Sequence, residues 1–380
     1  MTSLDLATAK DVQEFLTNGP FASHEVVPLP GGFGNFTFRL RLREAYQCHQ
    51  TLILKHGKDY IAAARSIPFA LERQNFEQTA MRRVRSLFPE DSLINVPEIF
   101  LYDDKENIII MEDCGEHSVT LKNLLKDGPS ISTETVRKIG ATLGTFLARL
   151  HSWGKDNQEV LDIFDENKQA RTISAWATYG RLVETLSGES KLPRLGNTPL
   201  GVSADKLQLV AQIAKETTEK IQSARETLVM GDFWPGNVLL SLTDETGEVD
   251  VKRIFIVDWE LVKPGRAGMD IGQFCAEMHQ MRRFYPTTEP LVLELVAEFL
   301  GTYRLRNGSA VELTQAAKVA LTQIGAHLVA FTPRSGWEGG ETMRKVVLEG
   351  VQCLLDGHEG KQEKIDESFV GGLTASKQAE

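Results

Sequence analysis

Gly231-Asp232-Phe233-Trp234-Pro235-Gly236-Asn237 is the stretch on which the reading of this chain turns. Proline and glycine at 235 and 236 force a tight irregular loop. Asp232 and Asn237 stand five positions apart, a spacing at which such a loop aims both side chains at one point. An apolar strand follows at once, Asn237-Val238-Leu239-Leu240. After the turn Thr243-Asp244-Glu245-Thr246-Gly247 a second strand, Arg253-Ile254-Phe255-Ile256-Val257, delivers Asp258-Trp259-Glu260. A hairpin over 237–260 returns the chain to its origin, so Asp258 is expected beside Asn237. A carboxylate and an amide oxygen make a hard-oxygen pair suited to Mg²⁺. Asp232 is then left to orient a hydroxyl and take its proton. Each part has a plainer reading, the loop as a surface turn and Asp258 as the cap of a strand end. Three oxygen-bearing side chains gathered by one hairpin make coincidence the weaker explanation.

Upstream, the period of apolar residues is two between about 25 and 57. Phe36, Phe38 and Leu40 alternate with Thr37, Arg39 and Arg41, and Leu52-Ile53-Leu54-Lys55 is a further apolar run. Gly31-Gly32-Phe33-Gly34-Asn35 joins two of these strands. A turn of this kind lays backbone N–H groups over phosphates, although glycine-rich hairpin turns also serve structure alone. Lys55 ends a strand and is placed to meet phosphate as a point charge, or else to face solvent. Residues 68–87 switch to helical spacing with Phe69, Phe76, Ala80 and Val84 near one face. Glu77 in that helix is a partner for Lys55, with Glu72 as its rival. Strands return at 97–102 and 107–112. There is no GxxxxGK[ST], so the phosphate device is not a P-loop.

Residues 4–17 predict a short amphipathic helix. Beyond 119 the spacing is mainly helical: 133–152, 204–226, 289–306, 312–330 and 341–356. Polar and glycine-spotted residues 359–380 read as a flexible tail. The 380 residues carry 42 Lys+Arg against 52 Asp+Glu, a net charge of −10. A single core rarely exceeds about 250–300 residues, so two lobes are expected. The acidic balance argues against a nucleic-acid partner, and no apolar run reaches the length of a membrane span. The start, MTSLDLATAKDVQEFL, lacks the apolar core of a secretory signal. Cys48, Cys114, Cys275 and Cys353 form no CxxC pair, which excludes a zinc ribbon and fits a reducing, cytoplasmic setting.

The order of parts, from glycine turn through strand lysine, helix glutamate and Asp-x4-Asn loop to hairpin aspartate, resembles the protein-kinase-like fold. Gly-Asp-Phe-Trp-Pro-Gly-Asn followed by Ile-Val-Asp-Trp-Glu resembles the aminoglycoside phosphotransferase and choline kinase branch of it. Leu147-Ala148-Arg149-Leu150-His151 and Gly268-Met269-Asp270-Ile271-Gly272 are similar to family segments, the latter supplying an aspartate that braces the catalytic loop. The resemblance runs from about 25 to 355. It implies an α+β bilobal fold: a nucleotide-binding lobe with an antiparallel sheet (1–110), a hinge (111–118) and a larger helical lobe with the catalytic loop (119–358). It implies ATP and Mg²⁺ as cofactors and transfer of the γ-phosphate to a hydroxyl of a small molecule, such as an amine, sugar or amino alcohol. Asp232 would position or deprotonate that hydroxyl. Asn237 and Asp258 would hold Mg²⁺, and Lys55, steadied by Glu77, would contact the α- and β-phosphates. Gly32, Phe33, Gly34 and Asn35 would cover the phosphates, and the backbone of Met111, Glu112, Asp113 and Cys114 would meet adenine.

The family usually has His two residues before the catalytic Asp, and here Met230 stands there. Methionine fills an irregular apolar gap, so the loop is expected to be kept. Met230 is also the single feature in favour of the alternative, an inactive pseudokinase that binds a nucleotide or a partner protein. His151 is either a structural residue or a rival base. Acceptor residues are expected at 155–200 and 275–340, among them Trp176, Tyr179, Glu184, Glu277, His279, Arg282, Arg283, Arg334, Trp337 and Glu338. The two tryptophans read equally as core.

Overall fold

The alternating apolar residues of the amino-terminal third close into a five-stranded antiparallel sheet. Its spatial order is Ser23–Pro28, Phe36–Tyr46, His49–His56, Ile108–Glu112, Ile99–Asp103. The computed structural model describes residues 4–30, 32–128, 130–243 and 249–375. Gly31, the turn residues 244–247 and positions 376–380 of the expected tail lie outside the described residues. Phe38 pairs with Leu54 and Leu54 with Ile110, so one face of three neighbouring strands is apolar in register. With Leu40, Leu52 and Ile108 they form a core to which Val12 and Leu16 are added by the short helix Ala9–Phe15 and its cap. A small hairpin, Tyr60–Ile61 with Ala64–Pro68, precedes the helix Arg73–Arg85.

That helix differs from its expected form. It begins at Arg73 and buries Arg73, Glu77, Ala80, Met81 and Val84, while Phe76 is only half-buried. The buried positions keep helical spacing, but two of them are charged, which is why apolar periodicity misplaced the face.

The chain divides into two compact units. The first holds residues up to 118 together with 239–241 and 253–260; the second holds the rest. The expected hinge, 111–118, therefore belongs wholly to the first unit. So do two pieces of the hairpin assigned by sequence to the helical lobe. The reason is a backbone pairing: the strand Asp250–Ile256 runs parallel beside Ile94–Asn95, and Ile254 N–H donates to Leu93 O at 2.8 Å.

The second unit is built on helices Thr133–Lys155, Ala204–Ser223, Gly268–Phe284, Glu289–Arg306, Ala310–Ala330 and Glu341–Glu359. Shorter helices, Gln158–Asp165, Lys168–Thr178 and Leu182–Ser187, fill 155–200. Phe233, Phe274 and Phe299 stack with centroids 4.8 to 6.3 Å apart, so the residue after Asp232 anchors its loop in the core. Among the described residues no helix is long and apolar enough to cross a membrane.

The expected flexible tail is corrected over its described part. Gln362–Asp366 is a helix and Gly371–Leu373 a 3₁₀ turn, with Ile365, Val370 and Leu373 fully buried. Three apolar residues among many polar ones suffice to dock the segment, and composition averages over them. Leu373→Ala is expected to cost about 2–4 kcal/mol in urea denaturation; an unchanged midpoint would restore the flexible tail.

Candidate active site

In the first unit the site is built around Lys55. It ends an interior strand of the sheet, its side chain is 8% exposed, and Nζ lies 2.7 Å from Glu77 Oε1 and 2.6 Å from Asp258 Oδ1. Burial opposes the ammonium charge, but Asp258, Glu77 and Glu260 outweigh it and hold the group protonated well above the ordinary lysine range. Glu77, not Glu72, is thus the partner. Burial pushes Glu77 up and Lys55 pulls it down; the 2.7 Å contact and a Trp259 N–H at 3.4 Å on the same oxygen favour the ionised pair.

Asp258 has φ +71°, a left-handed conformation that costs a non-glycine residue of order 1–3 kcal/mol. The twist places successive side chains apart. Asp258 remains one-third exposed, Trp259 is fully buried with Nε1 donating to Ile256 O, and Glu260 turns inward. Glu260 Oε2 accepts from Asn35 Nδ2 at 2.7 Å and from Arg73 Nε at 3.2 Å. Burial, then the charge of Asp258, pushes its carboxyl up to about 7, against the pull of Lys55 and Arg73.

Arg73, only 1% exposed, ties these parts together. Besides Glu260 it donates to Asn35 Oδ1, Gly34 O, Lys58 O, Phe69 O and Ala70 O, with its guanidinium 4.0 Å above the Phe69 ring. It was not expected from sequence; a lone arginine opening a helix carries no pattern. Gly34 has no room for a side chain, because a Cβ would sit 2.6 Å from Glu260 Oε1 and 2.8 Å from Phe69. The carbonyls of Phe33 and Gly34 accept from Ala63 and Ala62, and Phe33 is exposed. The Asn35 side chain is buried between Glu260 and Arg73 and so braces the turn.

At the hinge, Met111 and Cys114 are buried. Glu112 N–H donates to Glu98 O, its carboxylate accepts from Arg85 and Glu98 N–H, and Asp113 holds Arg39 at 2.6 Å. Burial, reinforced by Glu112 and Asp113, holds the Cys114 thiol well above its ordinary value. Glu77, Asp258 and Glu260 each offer a carboxylate oxygen within 4.8 Å of the others, and Glu77 Oε2 is buried with no hydrogen bond. This hard-oxygen set, with one orphaned atom, fits a divalent cation such as Mg²⁺.

In the second unit the strand Thr227–Val229 pairs with Lys263–Gly265 and leads into the Asp-x4-Asn loop. Asp270, fully buried, accepts from Met230 N–H at 2.8 Å and Gly231 N–H at 2.9 Å, as expected of a bracing aspartate. His151 Nε2 lies 3.2 Å from the same carboxylate and Nδ1 2.9 Å from the Tyr303 hydroxyl, so this histidine is structural. Met230 is fully buried, and its backbone does the bracing. Gly231 has φ +81°, and a Cβ there would strike Leu261 O and Lys263 Nζ.

Asp232 Oδ1 accepts from Gln273 Nε2 at 2.7 Å and Oδ2 from Asn237 Nδ2 at 2.9 Å. Asn237 Nδ2 also donates to Asp232 O, so both of these bonds leave from the amide nitrogen. Asp232 lines a small cavity together with residues of helices Lys168–Thr178, Gly268–Phe284 and Ala310–Ala330. Trp337 is buried in a stack with Phe284, as core, whereas Trp176 is exposed.

Residues 25–309 match the phosphotransferase enzyme family. The chain belongs to that family. It is 30% identical over 94% of its length to 4-hydroxytryptamine kinase of Psilocybe cyanescens, 95% of which is covered. It is 22% identical to methylthioribose kinase of Bacillus cereus (strain G9842), over 94% of this chain and 86% of that one. A choline kinase from Cryptosporidium parvum shares the fold with TM-score 0.51 at 13% identity, covering 95% of this chain and 97% of its own. This member of the phosphotransferase enzyme family is a small-molecule kinase with a protein-kinase-like fold, and its reaction is ATP-dependent phosphotransfer.

A second unexpected residue in this kinase is Lys263. It is fully buried, and Nζ donates to Leu261 O at 3.1 Å. Burial lowers it from 10.5 to about 8, against the pull of Asp270 and Asp232. Below pH 8 the folded state must carry this buried charge; between about 8 and 10.5 the unfolded chain binds more protons, so stability rises with pH there. Lys263→Met is expected to stabilise the protein at pH 7 by about 3 kcal/mol, with the gain shrinking as pH approaches 10.5. Denaturant titrations at pH 7 and 10 read this directly; a pH-independent difference would contradict it.

Proposed function

We propose that this kinase transfers the γ-phosphate of ATP to a hydroxyl of a small molecule, with Asp232 as the residue that orients that hydroxyl and takes its proton. The observation that carries the reading is the Asp232 carboxylate, each oxygen held by an amide donor at the wall of a cavity. As the acceptor oxygen bonds to the γ-phosphorus, the bond to the β-γ bridging oxygen breaks and ADP leaves. Phosphoryl transfer demands alignment and charge neutralisation above all. Lys55, steadied by Glu77, meets the α- and β-phosphates. The backbone from Gly32 to Asn35, stiffened by Arg73, covers them, and the backbone of 111–114 receives adenine.

In this reading Asp258, with Glu260 as a further oxygen beside it, would hold Mg²⁺, and the Asn237 amide oxygen would be a further ligand. When bound, the cation neutralises phosphate charge. Asp258 now pairs with Lys55 and has left-handed backbone, so it is pre-aimed rather than free to drift. The name of one relative, 4-hydroxytryptamine kinase, supports a hydroxylated amine of small size as the acceptor class. The intact bracing of the Met230 backbone by Asp270 weighs against the pseudokinase alternative.

Asp232→Ala is expected to lower turnover by about 10³-fold or more and to leave Mg·ATP binding intact. Asp258→Ala is expected to abolish turnover and also weaken Mg·ATP binding. Coupled ADP release and calorimetry separate the two, and retained turnover in Asp258→Ala would remove the metal assignment.

A further inference from the structure

We propose that Ser174 and His327, the latter fixed by Glu277, form the acceptor-recognition face of the Asp232 cavity and select a mainly apolar hydroxyl compound bearing a single amine. This rests on the reading of Asp232 as the residue that takes the acceptor hydroxyl.

The cavity walls are largely apolar: Ile173, Ala177, Leu261, Met269 and Phe331. Most polar groups that line it already have partners. Asp270 is occupied by Met230 N–H, Gly231 N–H and His151, Gln273 Nε2 by Asp232, and Gln323 Oε1 by the Tyr179 hydroxyl at 2.7 Å. Ser174 is an exception. Its hydroxyl is buried without a hydrogen-bond partner, although one turn of the same helix shows the usual solution, Thr172 Oγ1 donating to Lys168 O. An unmet buried hydroxyl costs about 1–3 kcal/mol and calls for a partner that arrives from outside the fold.

His327 supplies a second unfilled valence. It is buried, stacked on Phe331 at 4.5 Å and 16°, with Nε2 2.8 Å from Glu277 Oε1. Burial opposes the Glu277 charge, but His327 and Lys122 more than offset it and hold the carboxyl below its ordinary value. An ionised Glu277 accepts only, so Nε2 carries the proton toward it. Among the described residues Nδ1 makes no hydrogen bond within the protein. The Lys122 ammonium lies 3.5 Å from Glu277 and 4.5 and 5.0 Å from the Trp337 and Trp234 rings, so Glu277 already has a cation beside it.

One ring nitrogen and one hydroxyl, beside apolar walls, suit one polar nitrogen at the far end of a molecule whose hydroxyl meets Asp232. They do not suit an aminoglycoside, whose several ammonium groups need several carboxylates; among the described residues that line the cavity the carboxylates are Asp232 and Asp270, and Asp270 is taken up by the loop backbone.

The test compares 4-hydroxytryptamine, 4-hydroxyindole, ethanolamine and kanamycin as acceptors at saturating ATP, with wild type, Ser174→Ala, His327→Leu and Glu277→Gln. Wild type is expected to prefer 4-hydroxytryptamine. Each variant should raise the acceptor KM by about tenfold, the loss of one buried hydrogen bond, with the KM for ATP within twofold. For Glu277, which acts through His327, that split separates positioning from general destabilisation. The preference over 4-hydroxyindole should fall in His327→Leu. Kanamycin or ethanolamine as best acceptor, or unchanged acceptor KM in Ser174→Ala and His327→Leu, overturns the proposal. If wild type phosphorylates none of the four, the assignment of Asp232 and its acceptor fails and takes this face with it; turnover without sensitivity to the variants removes the face alone.

Discussion

An ammonium group with 8% of its side chain exposed is tolerable only if carboxylates meet it. Lys55 imposes that constraint on the first unit. Its place on an interior strand sets where a negative charge must stand, and two elements comply: Glu77 from the helix and Asp258 from the hairpin end. Glu77 brings the helix to the sheet with a charged face. Asp258 requires a left-handed backbone, which in turn sends Trp259 into the core and Glu260 toward Arg73. Arg73 then seizes the glycine turn through Gly34 O and Asn35. One buried charge thus determines the positions of the turn, the helix and the acidic hairpin end.

The second unit uses the same device with opposite sign. Asp270 is a buried carboxylate, and its partners are the amides of Met230 and Gly231 and the ring of His151. Because two backbone N–H groups are held, the loop entry is set whatever side chain sits at 230. That explains how methionine stands where the family usually has histidine. Phe233 locks the loop from the other side, and Asp232 is left pointing to the cavity with both oxygens oriented. Lys263 complicates the arrangement. Its buried ammonium adds positive potential near Asp232 and Asp270 at a cost in stability, a common trade where a site needs charge.

Much of the candidate site was legible because its parts are local. Asp232, Asn237 and Asp258 lie on one loop and one hairpin, and the order of glycine turn, lysine and glutamate is readable along the chain. Arg73, Ser174 and Lys263 were not, because nothing in their neighbourhood marks them, and Glu260 stood within the Ile-Val-Asp-Trp-Glu motif with no role assigned to it. Arg73 sits at a helix start where arginine is ordinary, and Ser174 in a helix where serine is ordinary. Their significance lies in burial and in the presence or absence of a partner far along the chain. The docked segment after 359 was missed for a related reason: Ile365, Val370 and Leu373 are sparse among polar residues.

Periodicity and motif order therefore determined the fold class, the two-part organisation, the loop carrying Asp232 and the strand lysine, since these follow from backbone geometry over short separations. Only the tertiary structure decided which glutamate Lys55 takes, that Asn35 braces the turn, that His151 supports Asp270, and which polar groups face the cavity unpaired. Those outcomes depend on desolvation. A charge or hydroxyl acquires its role when packing removes water from it, and packing is set by residues from every part of the chain.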